Sequence, residues 1–171
     1  MISNTLNVFA AARGINVEIA KELGPPPEGL RSAHNLVIPI TLVRGTRGYI
    51  ERTANQVNGA YENGWYDACA VMTRRLLETL IIEAFEKFKI ANKIKNISGD
   101  FLNLGDLVDR SLQETSWNLS RSCKKALPKI KEIGDRSAHS RRYSAVRGDL
   151  APLLPDIRLI VEELLCLADL R

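Results

Sequence analysis

Residues 65–90 run for 26 positions without a glycine or a proline, so nothing in them interrupts a helix. Cys69, Met72, Leu76 and Leu80 form one apolar row. Leu77, Ile81, Phe85 and Phe88 form a second. Both rows use the three- and four-residue spacings of a helix, and together they make a stripe too wide for one neighbour to cover. The stretch therefore predicts a central helix packed on two sides, with Trp65, Tyr66, Met72, Phe85 and Phe88 in the core. On its wet side Arg74 with Glu78, and Glu83 with Lys87, stand four apart and predict ion pairs of about 0.3–0.5 kcal/mol each.

The rest of the chain supplies partners for that helix. Tyr49, Ile50, Ala54, Val57 and Tyr61 share one face of a helix beginning near 45–49 and ending at Glu62. Asn63-Gly64 stops it, which makes the two helices antiparallel neighbours. Leu102, Leu104, Leu107, Val108 and Leu112 predict a shorter third helix with Asp106 in its first turn. A fourth covers about 115–132, with Trp117, Leu119, Cys123, Leu127, Ile130 and Ile133 inward and a kink or break at Pro128. Asp149 reads as the N-cap of a last helix reaching Leu170, which turns Ile157, Ile160, Val161, Leu164, Leu165 and Leu167 inward. The expected fold is all-α: an antiparallel bundle of four main helices over residues 45–171, preceded by an N-terminal arm and linker, residues 1–44. Short amphipathic turns to Leu23 and the extended Pro25-Pro26-Pro27 segment suggest the arm, and Pro39 argues against a central strand in the apolar run 36–43.

A chain of 171 residues fits one domain that buries about two-thirds of its unfolded surface. Aromatics are 6% of it, so the core is expected to be aliphatic. No apolar run approaches the roughly 18–20 residues that span a bilayer, and residues 1 onward lack a basic region followed by an apolar one. Cys69, Cys123 and Cys166, an odd number on predicted helices, read as small buried thiols in a reducing cytoplasm. No two cysteines are close and histidines number two, so neither a metal site nor a cofactor is expected.

Charge is concentrated. From Arg121 to Arg147 nine basic side chains stand against Glu132 and Asp135, a local +7 in a chain whose total is +4. Such a concentration suits a polyanion. There is no phosphate-binding glycine loop, no paired zinc-ligand histidines, and no basis for a Ser-His-Asp triad. His34, without an acidic neighbour, reads as structural or surface. His139 follows Asp135 by four positions, so on a helical turn the carboxylate and imidazole share a face, where the acid could orient the ring and raise its pKa. Lys131, Arg136, Arg141 and Arg142 around them could hold a phosphodiester.

Two segments resemble the HEPN superfamily, in the bacterial branch catalogued as domain of unknown function 4145. The first is Tyr61-x-x-Gly64-x-Tyr66-x-Ala68 followed by Ala70, Arg74, Leu77 and Glu78, similar to that family's second helix with its Arg-x-x-Leu-Glu core. The second is Lys131-x-x-Gly134-Asp135-x-x-Ala138-His139, similar to its Arg-x-x-Gly-Asn-x-x-Ala-His signature. The resemblance covers about residues 45–170.

Many proteins of that superfamily are metal-independent endoribonucleases in which two subunits pair an arginine and a histidine from each. The resemblance implies a homodimer and an RNA substrate, with phage defence or a toxin–antitoxin pair as the setting and a defence-system protein as a further partner. It makes His139 the general acid/base, puts Asp135 at the position that is often Asn, and puts Lys131 at the arginine position. Arg136, Arg141, Arg142, Lys124 and Lys125 are the expected nucleic-acid contacts. The catalytic form of the superfamily leaves four to six residues between its arginine and the final histidine; Gly134, Ile133 and Glu132 stand there instead. Lys131 keeps the charge without the planar fork. That departure suits a weak or degenerate ribonuclease or an RNA-binding relative. The alternative is a non-catalytic helical dimerisation or interaction module that docks on a larger effector.

Overall fold

A computed structural model describes residues 37–171. The expectations for the arm before residue 37, including the triple proline and His34, lie outside the described residues.

The longest helix is the expected one. Tyr66–Lys87 (α3, with α1 and α2 defined below) buries Cys69, Ala70, Leu76, Leu77, Leu80, Ile81, Ala84 and Phe85. It packs against helices on more than one side. Before it stands Gly48–Glu62 (α2), with Ile50, Ala54, Val57 and Tyr61 buried. Asn63 caps α2 and Gly64, at φ +75°, makes the reversal that only a residue without Cβ adopts easily. Leu104–Gln113 (α4) follows, its Asn103 side chain accepting from the Asp106 amide at 3.2 Å as an N-cap. Then come Arg121–His139 (α5), the short Arg147–Leu150 (α6) and Leu154–Leu167 (α7). The described residues form an all-α antiparallel bundle in which α2, α3, α5 and α7 are the four long members.

The core begins earlier than residue 45. Val37, Ile38, Ile40 and Val43 are buried, and Ile40–Val43 is a short helix, α1, started by Pro39. Asn58 inside α2 holds this segment. Its carbonyl oxygen accepts from the Val37 and Ile38 amides at 3.0 and 2.8 Å, and its amide donates to the Ile38 carbonyl at 2.7 Å. Arg158 Nε of α7 donates to the Val37 carbonyl at 2.9 Å. Residues 37–44, expected in the arm, are thus bundle.

Other expectations change in detail. α5 starts at Arg121, with Ser120 as N-cap accepting from the Cys123 amide at 3.1 Å, and runs unbroken through Pro128 to His139. Pro128 is exposed, so the carbonyl it leaves unpaired faces water, while Ala126, Leu127, Ile130 and Ile133 keep both halves buried. Asp149 is not an N-cap: it sits in the third position of α6 and accepts from the Val146 amide at 3.0 Å. Trp65 is 65% exposed, and Tyr49 and Phe88, although they touch Glu83 and Trp117, are also partly at the surface, because each lies at a helix end. Cys166 is exposed, whereas Cys69 and Cys123 are buried with thiols pushed up to about 12 by desolvation. Neither expected intrahelical pair supplies the main partner. Glu83 is buried and accepts from Arg47 Nε at 2.8 Å and from the Tyr49 hydroxyl; Lys87 pairs with Asp169; Arg74 crosses to Asp135.

Candidate functional site

The last two turns of α5 carry Lys131, Asp135 and His139 at four-residue intervals, hence along one face. The expected fourth helix ends near residue 132 because the apolar spacing ends at Ile133. The helix continues because this face meets α3 and α4 rather than the deep core. Gly134 is the residue that lets α5 come close. A Cβ built there would lie 2.8 Å from Arg74 Cβ, 3.2 Å from Arg74 Cδ and 3.3 Å from the Ala70 carbonyl. Without it, Arg74 lies flat against α5, and its Nε donates to Asp135 Oδ1 at 2.7 Å.

Asp135 is the hub. Its second oxygen, Oδ2, accepts from Lys131 Nζ at 2.6 Å. Partial burial works to raise this carboxyl, but the hydrogen bonds and charges of Lys131 and Arg74 outweigh it and hold it below the ordinary aspartate range. The carboxylate is therefore ionised and committed to two cations. Among the described residues, no hydrogen bond or ion pair reaches the His139 ring. The orienting contact expected between Asp135 and the imidazole is not the one the carboxylate makes.

These side chains line one open groove of about 570 Å³, together with Asn103, Gly105, Arg136 and Ser140. The Lys131 stem crosses it above the start of α4, its Cε 3.1 Å from where a Cβ on Gly105 would stand. His139 and Arg136 are exposed on the rim. The Arg136 guanidinium lies 4.1 Å from the Tyr143 ring centroid, a cation–π contact that fixes its direction. Three cations and a histidine thus face one carboxylate.

The turn after α5 is fastened. Asp67, in the first turn of α3, accepts from the Ala145 amide and the Ser144 hydroxyl, each at 2.8 Å, and these bonds lower its pKa. Tyr143 donates its hydroxyl to Asp149 Oδ2 at 2.9 Å; burial and that carboxylate raise the phenol's pKa. The end of α5 is held from both sides.

Of the nine-cation segment, the structure brings Lys131 and Arg136 to the groove and leaves the others elsewhere. Lys124 and Lys125 are exposed near the start of α5, about 20 Å from His139 at 1.5 Å per residue, and Lys124 donates to Asn118 at 3.1 Å. Arg141 and Arg142 are exposed on the following turn and do not line the groove. Arg74 was missed as a site residue, since its spacing to Glu78 suggested a local pair; an isolated glycine in a helical pattern, Gly134, was the available hint. Among the described residues no group of His, Cys, Asp and Glu side chains could hold a metal ion, and no helix is long and apolar enough to cross a membrane. Comparison with protein-family models, with curated proteins and with solved structures finds no match.

Proposed function

We propose that the chain is a HEPN-like, RNA-directed protein that holds single-stranded RNA in the α5 groove and cleaves it weakly, without a metal. The observation that carries this reading is the exposed His139 on the same groove as Arg136, Lys131 and Arg74. The cations hold the phosphodiester, and the imidazole moves a proton at the 2′-hydroxyl or at the leaving oxygen. The two segments that resemble the superfamily touch one another: Ala70 and Arg74 of the first lie against Gly134 and Asp135 of the second. A homodimer would bring a second histidine to the groove, and phage defence or a toxin–antitoxin pair is the setting the resemblance suggests. Cleavage is weak in this reading because Asp135 serves the cations and leaves the ring without an orienting acid.

The test is RNA incubated with purified protein in chelator beside His139→Ala. Loss of RNA in the first sample alone supports catalysis; equal residual RNA in both removes it. A second reading, a non-catalytic interaction module docking on a larger effector, is favoured by the exposure of Trp65 and Val146 at 65% and 58%. Binding that barely changes with added salt would support docking over nucleic acid.

A further inference from the structure

We infer that Arg74 is the phosphate-binding fork of the groove, so that α3 supplies beside Asp135 the guanidinium for which α5 has Lys131. This rests on the groove being the ligand site proposed above and names the chemistry it selects: a tetrahedral phosphate oxyanion.

Arg74 is held from the side. Its Nε is the atom bonded to Asp135, and among the described residues its two terminal nitrogens make no hydrogen bond. The side chain is 24% exposed, and the groove is where it opens. Four N–H donors on a largely covered guanidinium then lack a fixed acceptor. In the open groove these donors are left to water, and an oxyanion can replace that water at two of them at once. Lys131 is held in the same way, with one ammonium hydrogen on Asp135 Oδ2 and two left over. One carboxylate thus sets two cations as jaws and leaves the trio at +1, the complement of a phosphodiester's single charge.

The jaws are already in position. The Arg74 stem lies against Gly134, where even a methyl group would not fit. Little conformational freedom remains for a ligand to remove. Among the described residues Asp135 is the sole acid lining the groove, so no second carboxylate of theirs competes for the fork. Lys124 and Lys125, in contrast, stand on exposed helix with no such frame.

The experiment uses the full chain labelled with ¹⁵N. The Arg74 Nε–Hε signal is followed by NMR while inorganic phosphate is added, with chloride at matched ionic strength as control. In parallel, the affinity of a fluorescein-labelled oligouridylate is measured for the wild type and for Arg74→Lys, which keeps the charge and removes the fork. A saturable shift with phosphate and none with chloride is expected. So is a loss of about tenfold or more in oligouridylate affinity in Arg74→Lys, the scale of one charge-assisted hydrogen bond. If phosphate moves Arg74 but the wild type binds no oligouridylate, the fork stands and the RNA reading falls. If the wild type binds oligouridylate, Arg74→Lys binds equally well and the Arg74 signal does not move, the fork is overturned and the RNA reading stands. If nothing binds and nothing moves, both fall. Should Arg74→Lys melt, the wild-type signal decides alone.

Discussion

Replacing Gly134 with alanine tests how the groove is assembled. A glycine inside a helix normally costs about 1 kcal/mol relative to alanine, so propensity alone favours the substitution. Contact opposes it. The new Cβ would sit 2.8 Å from Arg74 Cβ and 3.3 Å from the Ala70 carbonyl oxygen. Carbon atoms rest at about 3.5–4.0 Å, so α5 must retreat from α3 by most of an ångström. Neither contact can be relieved by turning a side chain: one atom is fixed to the backbone and the other belongs to it. Overpacking of this kind costs about 1–3 kcal/mol, and separating the helices also stretches the Arg74–Asp135 bond, worth about 1 kcal/mol when partly exposed. Set against the propensity gain, a net loss of about 1–3 kcal/mol is expected. Gly59, in the last turn of α2, is the control, because a Cβ there meets nothing within 4 Å. Urea denaturation of both variants should lower the midpoint for Gly134→Ala and leave it unchanged or raised for Gly59→Ala. If Gly134→Ala matches or exceeds the wild type, the close approach of α5 to α3 is refuted, and with it the basis for placing Arg74.

Three more outcomes follow from buried or paired groups. Asn58→Ala strips the partners from the Val37 and Ile38 amides and the Ile38 carbonyl, and should cost about 3–5 kcal/mol in denaturant unfolding; a loss below about 1 kcal/mol would show that residues 37–43 are not part of the bundle. The Glu114 carboxyl is pulled down to about 2 by the Lys93 hydrogen bond and by the Ser116 amide. Because its folded pKa lies below the unfolded one, its contribution is complete above about pH 4.5 and disappears as pH falls toward 2. After allowance for solvent screening that is about 1–2 kcal/mol. Glu114→Gln should therefore flatten the acid limb of the stability profile, and an unchanged limb would contradict the assignment. Tyr49 is pushed up to about 12 by desolvation and by its bond to Glu83. Spectrophotometric titration of Tyr49→Phe should lose amplitude from the late-ionising part of the wild-type curve; loss of amplitude centred near pH 10 instead would place Tyr49 away from Glu83.

The frame of the molecule could be read from one dimension because its signals are local. An unbroken, doubly apolar run makes α3, and Asn63-Gly64 ends α2 by backbone chemistry alone. α5 resisted the same reasoning twice. An interior proline costs a helix less where the freed carbonyl can face water, and the exposure of Pro128 is decided by packing. Beyond Ile133 the residues are polar and resemble a loop, since this part of the helix lines a groove instead of filling the core.

The site was half legible for a related reason. Lys131, Asp135 and His139 follow each other at one turn's spacing, so their common face could be derived before any coordinates. What Asp135 does with that face depends on Arg74, 61 residues away in the chain. A short spacing to Glu78 outweighed any trace of that contact. The concentration of positive charge likewise suggested one surface, but one continuous helix carries Lys124 and Lys125 to its opposite end.

Backbone-amide NMR of the full chain titrated with oligouridylate at low salt is the most direct test of whether the groove is the working surface. Saturable shifts should gather at residues 131–140 and at Asn103–Gly105, and the affinity should fall as salt is added. Shifts confined to the Lys124–Lys125 end of α5, or no saturable shift at all, would contradict it.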